Sequence, residues 1–181
     1  VDSEMRRTIK AMSYGLAYGL SSFGLAKQLD IDPDSASQLM SKYFERFGGI
    51  REYLKTVVIA AREKGYTETV LGRRRYLPDL NHENRQRREI AERAALNAPI
   101  QGSAADIIKI AMLNVSKEIS KNQLKSRLLL QVHDELILEV AQGEKDKLEE
   151  IVKTQMANAY QLRVPLDVNI GFGLSWDLAA H

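Results

Sequence analysis

The chain has 181 residues, 44% hydrophobic and 28% charged, enough apolar side chain for one sizeable core or two small ones. No run of 18 apolar residues occurs, which excludes a membrane-spanning helix, and no basic stretch leading into an apolar one marks a secretory signal. The absence of cysteine excludes disulfides, thiolate chemistry and cysteine zinc sites and fits an intracellular protein, while a net charge of +2 names no partner.

In chain order, residues 4 to about 20 are predicted to form a helix, with Asp2 or Ser3 as N-cap and Gly19 near its end. The sequence opens directly in this helix-compatible stretch, as expected of a piece cut from a longer protein. A second helix is predicted over IDPDSASQLMSKYFERF, with Asp32 as N-cap and Pro33 at its first position. Gly48-Gly49 is expected to break it, and IREYLKTVVIAAREK to resume as a third helix closed by Gly65. YTETVLGRRRYLP divides into two short extended pieces around Gly72. NRQRREIAERAALNA is helical up to Pro99, which disfavours helical geometry at the residue before it, and Gly102-Ser103 is expected to open a further helix. The last third reads as LLLQVHDELILEV, a helix starting at Gly143 and running to about Tyr160, and a final strand, VPLDVNIGFG. The fold class implied is α+β, helix-rich, with a small β-element.

The charges are unevenly spread. Six arginines (Arg73, Arg74, Arg75, Arg85, Arg87, Arg88) lie between Arg73 and Arg88, against Asp79 and Glu83. Such a cluster could lie along a phosphate backbone, although a solvated charged face is the more ordinary reading of it.

On a helix, Arg6, Lys10, Tyr14 and Tyr18 fall at about 0°, 40°, 80° and 120°, with Arg7 at about 100°. Ile9, Met12, Leu16 and Leu20 gather on the other side at about 240° to 320°. One reading is an amphipathic surface helix with solvated cations. The other is a nucleotide platform, with cations for phosphates and rings for sugar and base. Tyrosines on the polar side, each followed by glycine, are left unexplained by the first. Further along, Arg93 and Asn97 are one turn apart and Gln101 follows the proline. These planar donors suit base edges or sugars, or serve only as helix-end and loop residues.

LLLQVHDELILEV sets three ionisable groups inside an apolar run. A continuous strand would drive either Asp134 or Glu135 into the core unpaired. A tight hairpin with His133-Asp134 at its tip avoids that, because the carboxylates then project beyond the sheet. Asp134 at such a tip is either a turn residue only, or a carboxylate held rigidly for Mg²⁺, which prefers oxygen ligands.

Taken together these segments resemble the DNA polymerases of family A. The family's motif B is matched by Arg6, Lys10, Tyr14-Gly15 and Tyr18-Gly19, and its motif C by Gln131-Val132-His133-Asp134-Glu135. TVLGRRRYLPDL, ERAALNAPIQGSAADIIK and GFGLSWDLAAH resemble the connecting and terminal segments, so the likeness spans the chain with order kept. It implies a right-hand polymerase fragment, with fingers over residues 1–98 and the C-terminal part of the palm over 99–181. The thumb and the palm strand bearing the other metal-binding aspartate (motif A) are expected to be absent.

The resemblance also implies roles. Arg6 and Lys10 hold the triphosphate of the incoming dNTP, and Lys10 helps protonate the leaving pyrophosphate. Tyr14 packs on sugar and base, and Tyr18 guards the templating position. Arg73, Arg74, Arg93, Asn97 and Gln101 contact primer–template DNA. Asp134 and Glu135 ligate two Mg²⁺ ions, and His133 approaches the primer-end phosphate. The implied reaction is attack of the primer 3′-hydroxyl on the α-phosphate, in a cytoplasmic, nucleoid-associated bacterial enzyme without membrane contact. With one of two principal metal carboxylates missing, the chain alone is expected not to polymerise. Alternatives are a single-subunit RNA polymerase, against which Glu135 and GRRRYLP argue, and a DNA-binding module without catalysis. A metal-dependent phosphohydrolase would need more clustered ligands than three histidines and one Asp-Glu pair.

Overall fold

A computed structural model describes residues 2–17 and 19–179. The chain divides into two compact units, Val1–Ser103 and Ala104–His181.

The first unit is built on helices. α1 (Ser3–Ala17) is capped by Asp2, whose Oδ1 accepts from the Met5 N–H at 2.7 Å. α2 (Ser22–Leu29) is a helix the sequence reading leaves out, although its N-cap is plain: Ser21 Oγ accepts from the Gly24 N–H. α3 (Pro33–Arg46) starts as expected at Asp32, whose Oδ1 accepts from the Ser35 N–H at 2.8 Å. The break at Gly48-Gly49 is smaller than expected, because α4 (Gly48–Lys64) begins on the first of those glycines and only Phe47 interrupts the helices. Gly65 closes α4 with a left-handed φ of 79°. Ala11, Met12, Leu25, Ala26, Leu29 and Ala36 form one core, so α1, α2 and α3 meet along their apolar stripes.

β1 (Tyr66–Glu68) and β2 (Arg74–Tyr76) pair antiparallel, as expected around Gly72, and a short 3-10 helix (Pro78–Asn81) comes next. α5 (Arg85–Lys121) then corrects the reading of Pro99: the helix does not stop there, and Gly102-Ser103 opens nothing, because all three lie inside one 37-residue helix. An interior proline removes a helical hydrogen bond and crowds the carbonyl four residues back, at about 3 kcal/mol. Tertiary contacts offset that cost. Ala91 and Ala95 are buried with Ala61, Leu77 and Leu80 on one side of the proline. On the other side the β1–β2 hairpin is tied to the helix, Val70 N–H donating to Ser103 Oγ at 2.9 Å and Arg73 to the Gly102 carbonyl at 3.0 Å. Glycine at 102 permits this approach, since a Cβ there would lie 2.7 Å from Thr69 Cγ2.

The second unit holds the rest of α5, the hairpin β3 (Arg127–Val132) and β4 (Glu135–Glu139), and α6 (Lys145–Ala157). Val115, Ile119, Leu148 and Val152 form its core, with Leu136, Leu138 and Ile170 packed against it. The expected final strand over VPLDVNIGFG is absent among the described residues. Leu166, Val168 and Ile170 are half-buried while Asp167 and Asn169 are exposed, so the two-residue period is present. A strand also needs a ladder, and β3 and β4 pair only with each other.

One polar cluster fastens the hairpin to α6. Glu144 accepts from the Lys125 N–H at 2.9 Å, the Ser126 N–H at 2.9 Å and the Ser126 hydroxyl at 2.7 Å. Ser126 Oγ in turn accepts from the Ala141 N–H at 2.9 Å. Ser126 is 2% exposed, so Ser126→Ala strands a buried N–H and is expected to cost about 1–3 kcal/mol, read as a lower urea midpoint at unchanged m. The Lys125 N–H, foremost, and the Ser126 hydroxyl and N–H hold the Glu144 carboxyl below its ordinary value of 4.5. A depressed carboxyl contributes its full stabilisation above that ordinary value and loses it as the pH falls through the folded-state value below. Glu144→Gln is therefore expected to flatten the acid limb of the stability–pH curve, as followed by thermal melts between pH 6 and roughly pH 3.

Candidate active site

α1 presents two faces. Ala11, Met12 and Leu16 are buried, while Arg6, Arg7, Lys10 and Tyr14 are exposed, Tyr14 by 59%. The helix period thus separates a core stripe from a cationic and aromatic stripe as its spacing predicts, except that Ile9, expected in the core stripe, is exposed. Arg7, Lys10 and Tyr14 line a cleft of about 420 Å³ together with Ala11 and, from α2, Gln28 and Leu29. Arg7 was legible as an i, i+3, i+7 partner of Lys10 and Tyr14. Gln28 was not, because it depends on the overlooked α2. Tyr18 lies outside the described residues. Gly19 takes a φ of 70°, and a Cβ there would be 3.1 Å from Arg93 Cγ and 3.2 Å from Leu96 Cδ1. The end of the α1 segment therefore lies against the α5 turn that carries Arg93.

Because α5 continues through Pro99, Arg93, Asn97 and Gln101 stand at four-residue intervals on one helix, at about 0°, 40° and 80°. The break predicted between Asn97 and Gln101 would have separated them. Arg93 and Gln101 are exposed, and Asn97 Oδ1 is buried with no hydrogen-bond partner. The two candidate DNA-binding arginines of the hairpin are engaged within the chain. Arg73 donates to the Gly102 carbonyl, and Arg74 Nε donates to Glu68 Oε1 at 2.8 Å, its guanidinium 4.6 Å over the Tyr66 ring. Arg87 makes a two-pronged contact with Asp79, at 2.8 and 3.3 Å.

In the second unit the hairpin is as the charge argument requires. Val132 pairs with Glu135, which leaves His133 and Asp134 as a two-residue loop. His133 takes a φ of 52°, the left-handed geometry that lets a short loop match the right-handed twist of its strands. The Gln131 amide donates to the His133 carbonyl at 3.0 Å, which braces the loop. A register shift between Leu128 and Leu130 places Leu129 in a bulge, a feature that bends a strand and re-aims the residues beyond it. His133, Asp134 and Glu135 are all exposed, and the Trp176 indole N–H donates to Glu135 Oε2 at 3.3 Å. Trp176 was not singled out from the sequence, since 41 residues separate it from its partner.

The donors at the hairpin tip are carboxylate oxygens, the kind Mg²⁺ takes. Two adjacent carboxylates at an exposed, rigid tip supply the hard oxygen ligands this ion takes, and Mg²⁺ commonly binds one or two carboxylates plus substrate phosphates. Among the described residues there is no group of three or more His, Asp or Glu able to hold a metal ion. The residues fit the ion in kind, and two carboxylates would fill only part of its shell.

Residues 1–178 match the model of DNA polymerase family A, and the chain belongs to that family. Bacterial proteins are among its relatives. The chain is 62% identical over all 181 residues to DNA polymerase I of Mycobacterium tuberculosis (strain ATCC 25618 / H37Rv), covering 20% of that protein. It is 47% identical over 176 residues, 97% of the chain, to DNA polymerase I of Geobacillus stearothermophilus, again covering 20% of the relative. Among solved structures, the POL domain of Pol1 from M. smegmatis, in complex with DNA primer-template and dNTP, matches with a TM-score of 0.97. The identity to it is 64%, over 100% of this chain and 32% of that one. The chain thus spans about a fifth of the length of the curated relatives it matches.

Proposed function

We propose that this chain supplies the nucleotide-gripping helix and one of the two principal catalytic carboxylates of a larger template-directed DNA polymerase. Residues 1–98 serve mainly as fingers and 99–181 as the C-terminal part of the palm. The observation that carries the reading is the pairing, in one family A chain, of α1's exposed Arg6, Lys10 and Tyr14 with a carboxylate-tipped two-residue hairpin. The substrate classes are primer–template DNA and dNTP, the molecules named with the M. smegmatis structure.

Each residue then has a role. Arg6 and Lys10 hold the triphosphate by charge-assisted hydrogen bonds, and Lys10 carries a proton for the departing pyrophosphate oxygen. Tyr14 packs on the sugar and base, and Tyr18 guards the templating position. Arg93, Asn97 and Gln101 address minor-groove acceptors that occur in every base pair, so they sense pair geometry rather than sequence. Arg73 and Arg74 face the DNA backbone with whatever donors their contacts in the chain leave over. His133 stands near the primer-end phosphate, and Asp134 and Glu135 hold Mg²⁺ there. Mg²⁺ held there would supply Lewis-acid chemistry, lowering the pKa of the primer hydroxyl and offsetting charge on the leaving oxygens. The second carboxylate of that pair comes from the remainder of the polymerase. The setting is the bacterial cytoplasm, in DNA replication and repair, and no helix among the described residues is long and apolar enough to cross a membrane.

The reading is tested by primer extension with Mg²⁺. A full-length polymerase carrying this chain is expected to extend a primed template, and the 181-residue chain alone to give no product. Robust extension by the chain alone would overturn the division of the carboxylates. In the full-length enzyme, Tyr14→Phe is expected to strengthen discrimination against dideoxynucleotides about tenfold or more, because the tyrosine hydroxyl stands in for the missing sugar 3′-hydroxyl. An unchanged ratio of dideoxy to deoxy incorporation would remove Tyr14 from the sugar.

A further inference from the structure

The segment after α6 is held down at three points within the second unit. Ile170 packs against the core of Val115, Ile119, Leu148 and Val152. The Lys145 ammonium sits 4.2 Å over the Phe172 ring. The Trp176 indole N–H reaches Glu135 Oε2 at 3.3 Å. Around Trp176 the backbone folds into a turn, with the Leu178 N–H donating to the Ser175 carbonyl at 3.1 Å and the Ala179 N–H to the Trp176 carbonyl at 3.1 Å. The turn lies so close to Gly173 that a Cβ there would run into the Leu178 backbone carbonyl. Glycine is required at that point for the turn to close and deliver the indole.

We propose that Trp176 is a positioning residue for Glu135, so that the C-terminal turn sets the cation affinity of the hairpin tip. An exposed glutamate has three side-chain torsions, and fixing it costs rotamer freedom. A partner that meets part of that cost in advance strengthens the hold on any ion the carboxylate then meets. Indole is well suited to this role, because it only donates and carries no lone pair to compete for a cation. The inference rests on the reading of Glu135 given under Proposed function.

Two measurements test it. Trp176 is the sole tryptophan of the 181-residue chain, so its emission reports the contact without reference to activity. Glu135→Ala, which removes the acceptor, is expected to change that emission, and an unchanged spectrum would overturn the contact. In a full-length polymerase, Trp176→Phe keeps an aromatic ring but removes the donor. It is expected to raise the Mg²⁺ concentration for half-maximal single-turnover incorporation about 2- to 10-fold at unchanged primer–template Kd. Combined with Glu135→Gln, it should add nothing further, the mark of residues acting as a unit. If Glu135→Gln leaves the Mg²⁺ dependence unmoved, the metal role of Glu135 fails and the inference with it. If Glu135→Gln moves it while Trp176→Phe does not, or if the two effects simply add, the positioning role alone is overturned.

Discussion

Asp134→Ala in a full-length polymerase carrying this chain is expected to lower the single-turnover rate of nucleotide incorporation by about 10²–10³-fold or more, with primer–template affinity kept within about twofold. The size stems from geometry. Asp134 sits in a two-residue loop between paired strands, with the preceding residue fixed at positive φ and the loop braced by Gln131. The backbone that carries the carboxylate is fixed in this way, and alanine removes the charge without touching the ladder. DNA binding should survive because the candidate DNA contacts Arg93, Asn97 and Gln101 belong to α5. Gel-shift and quench-flow measurements on one preparation separate the two quantities, and a comparable loss in both would mean that the loop, not the carboxylate, had been damaged.

Lys10→Ala is expected to slow incorporation by about 10²–10⁴-fold, the range for removing a positioned proton donor together with a phosphate contact. Lys10 is exposed on α1 and shares its cleft with Arg7, Tyr14 and Gln28. The informative variant is Lys10→Arg. Guanidinium holds phosphate well but does not give up its proton, so nucleotide Kd should stay within a few-fold of wild type while the rate remains low. Recovery of the rate in Lys10→Arg would leave Lys10 as a charge only.

Features decided by local chemistry could be read from the sequence. The two faces of α1, the Asp32-Pro33 start of α3, the Gly65 stop and the His133-Asp134 tip each arise from periodicity, capping or the cost of a buried charge. Features decided by tertiary contact misled. Pro99 looked like an end because its local penalty is real. The hairpin docked on Gly102 and Ser103, and the buried alanines before the proline, are context that a window of sequence does not hold. That miss bears on the site, because continuity of α5 aligns Gln101 with Arg93 and Asn97. VPLDVNIGFG carried the period of a strand, but a ladder depends on a neighbour, and none is present among the described residues. Trp176 and Gln28 were missed for the same reason, each reaching its site from an element whose position only the fold supplies.

The most direct measurement is single-turnover incorporation across a dNTP series in the full-length enzyme, with rate and nucleotide Kd separated for Arg6→Ala and Asp134→Ala side by side. A rise in nucleotide Kd for Arg6→Ala and a collapse of rate for Asp134→Ala are the outcomes expected of the roles proposed for α1 and the hairpin tip. An Asp134→Ala enzyme that keeps its rate within about tenfold of wild type, less than the loss of one catalytic charge should cost, would contradict the assignment of the hairpin to the chemistry.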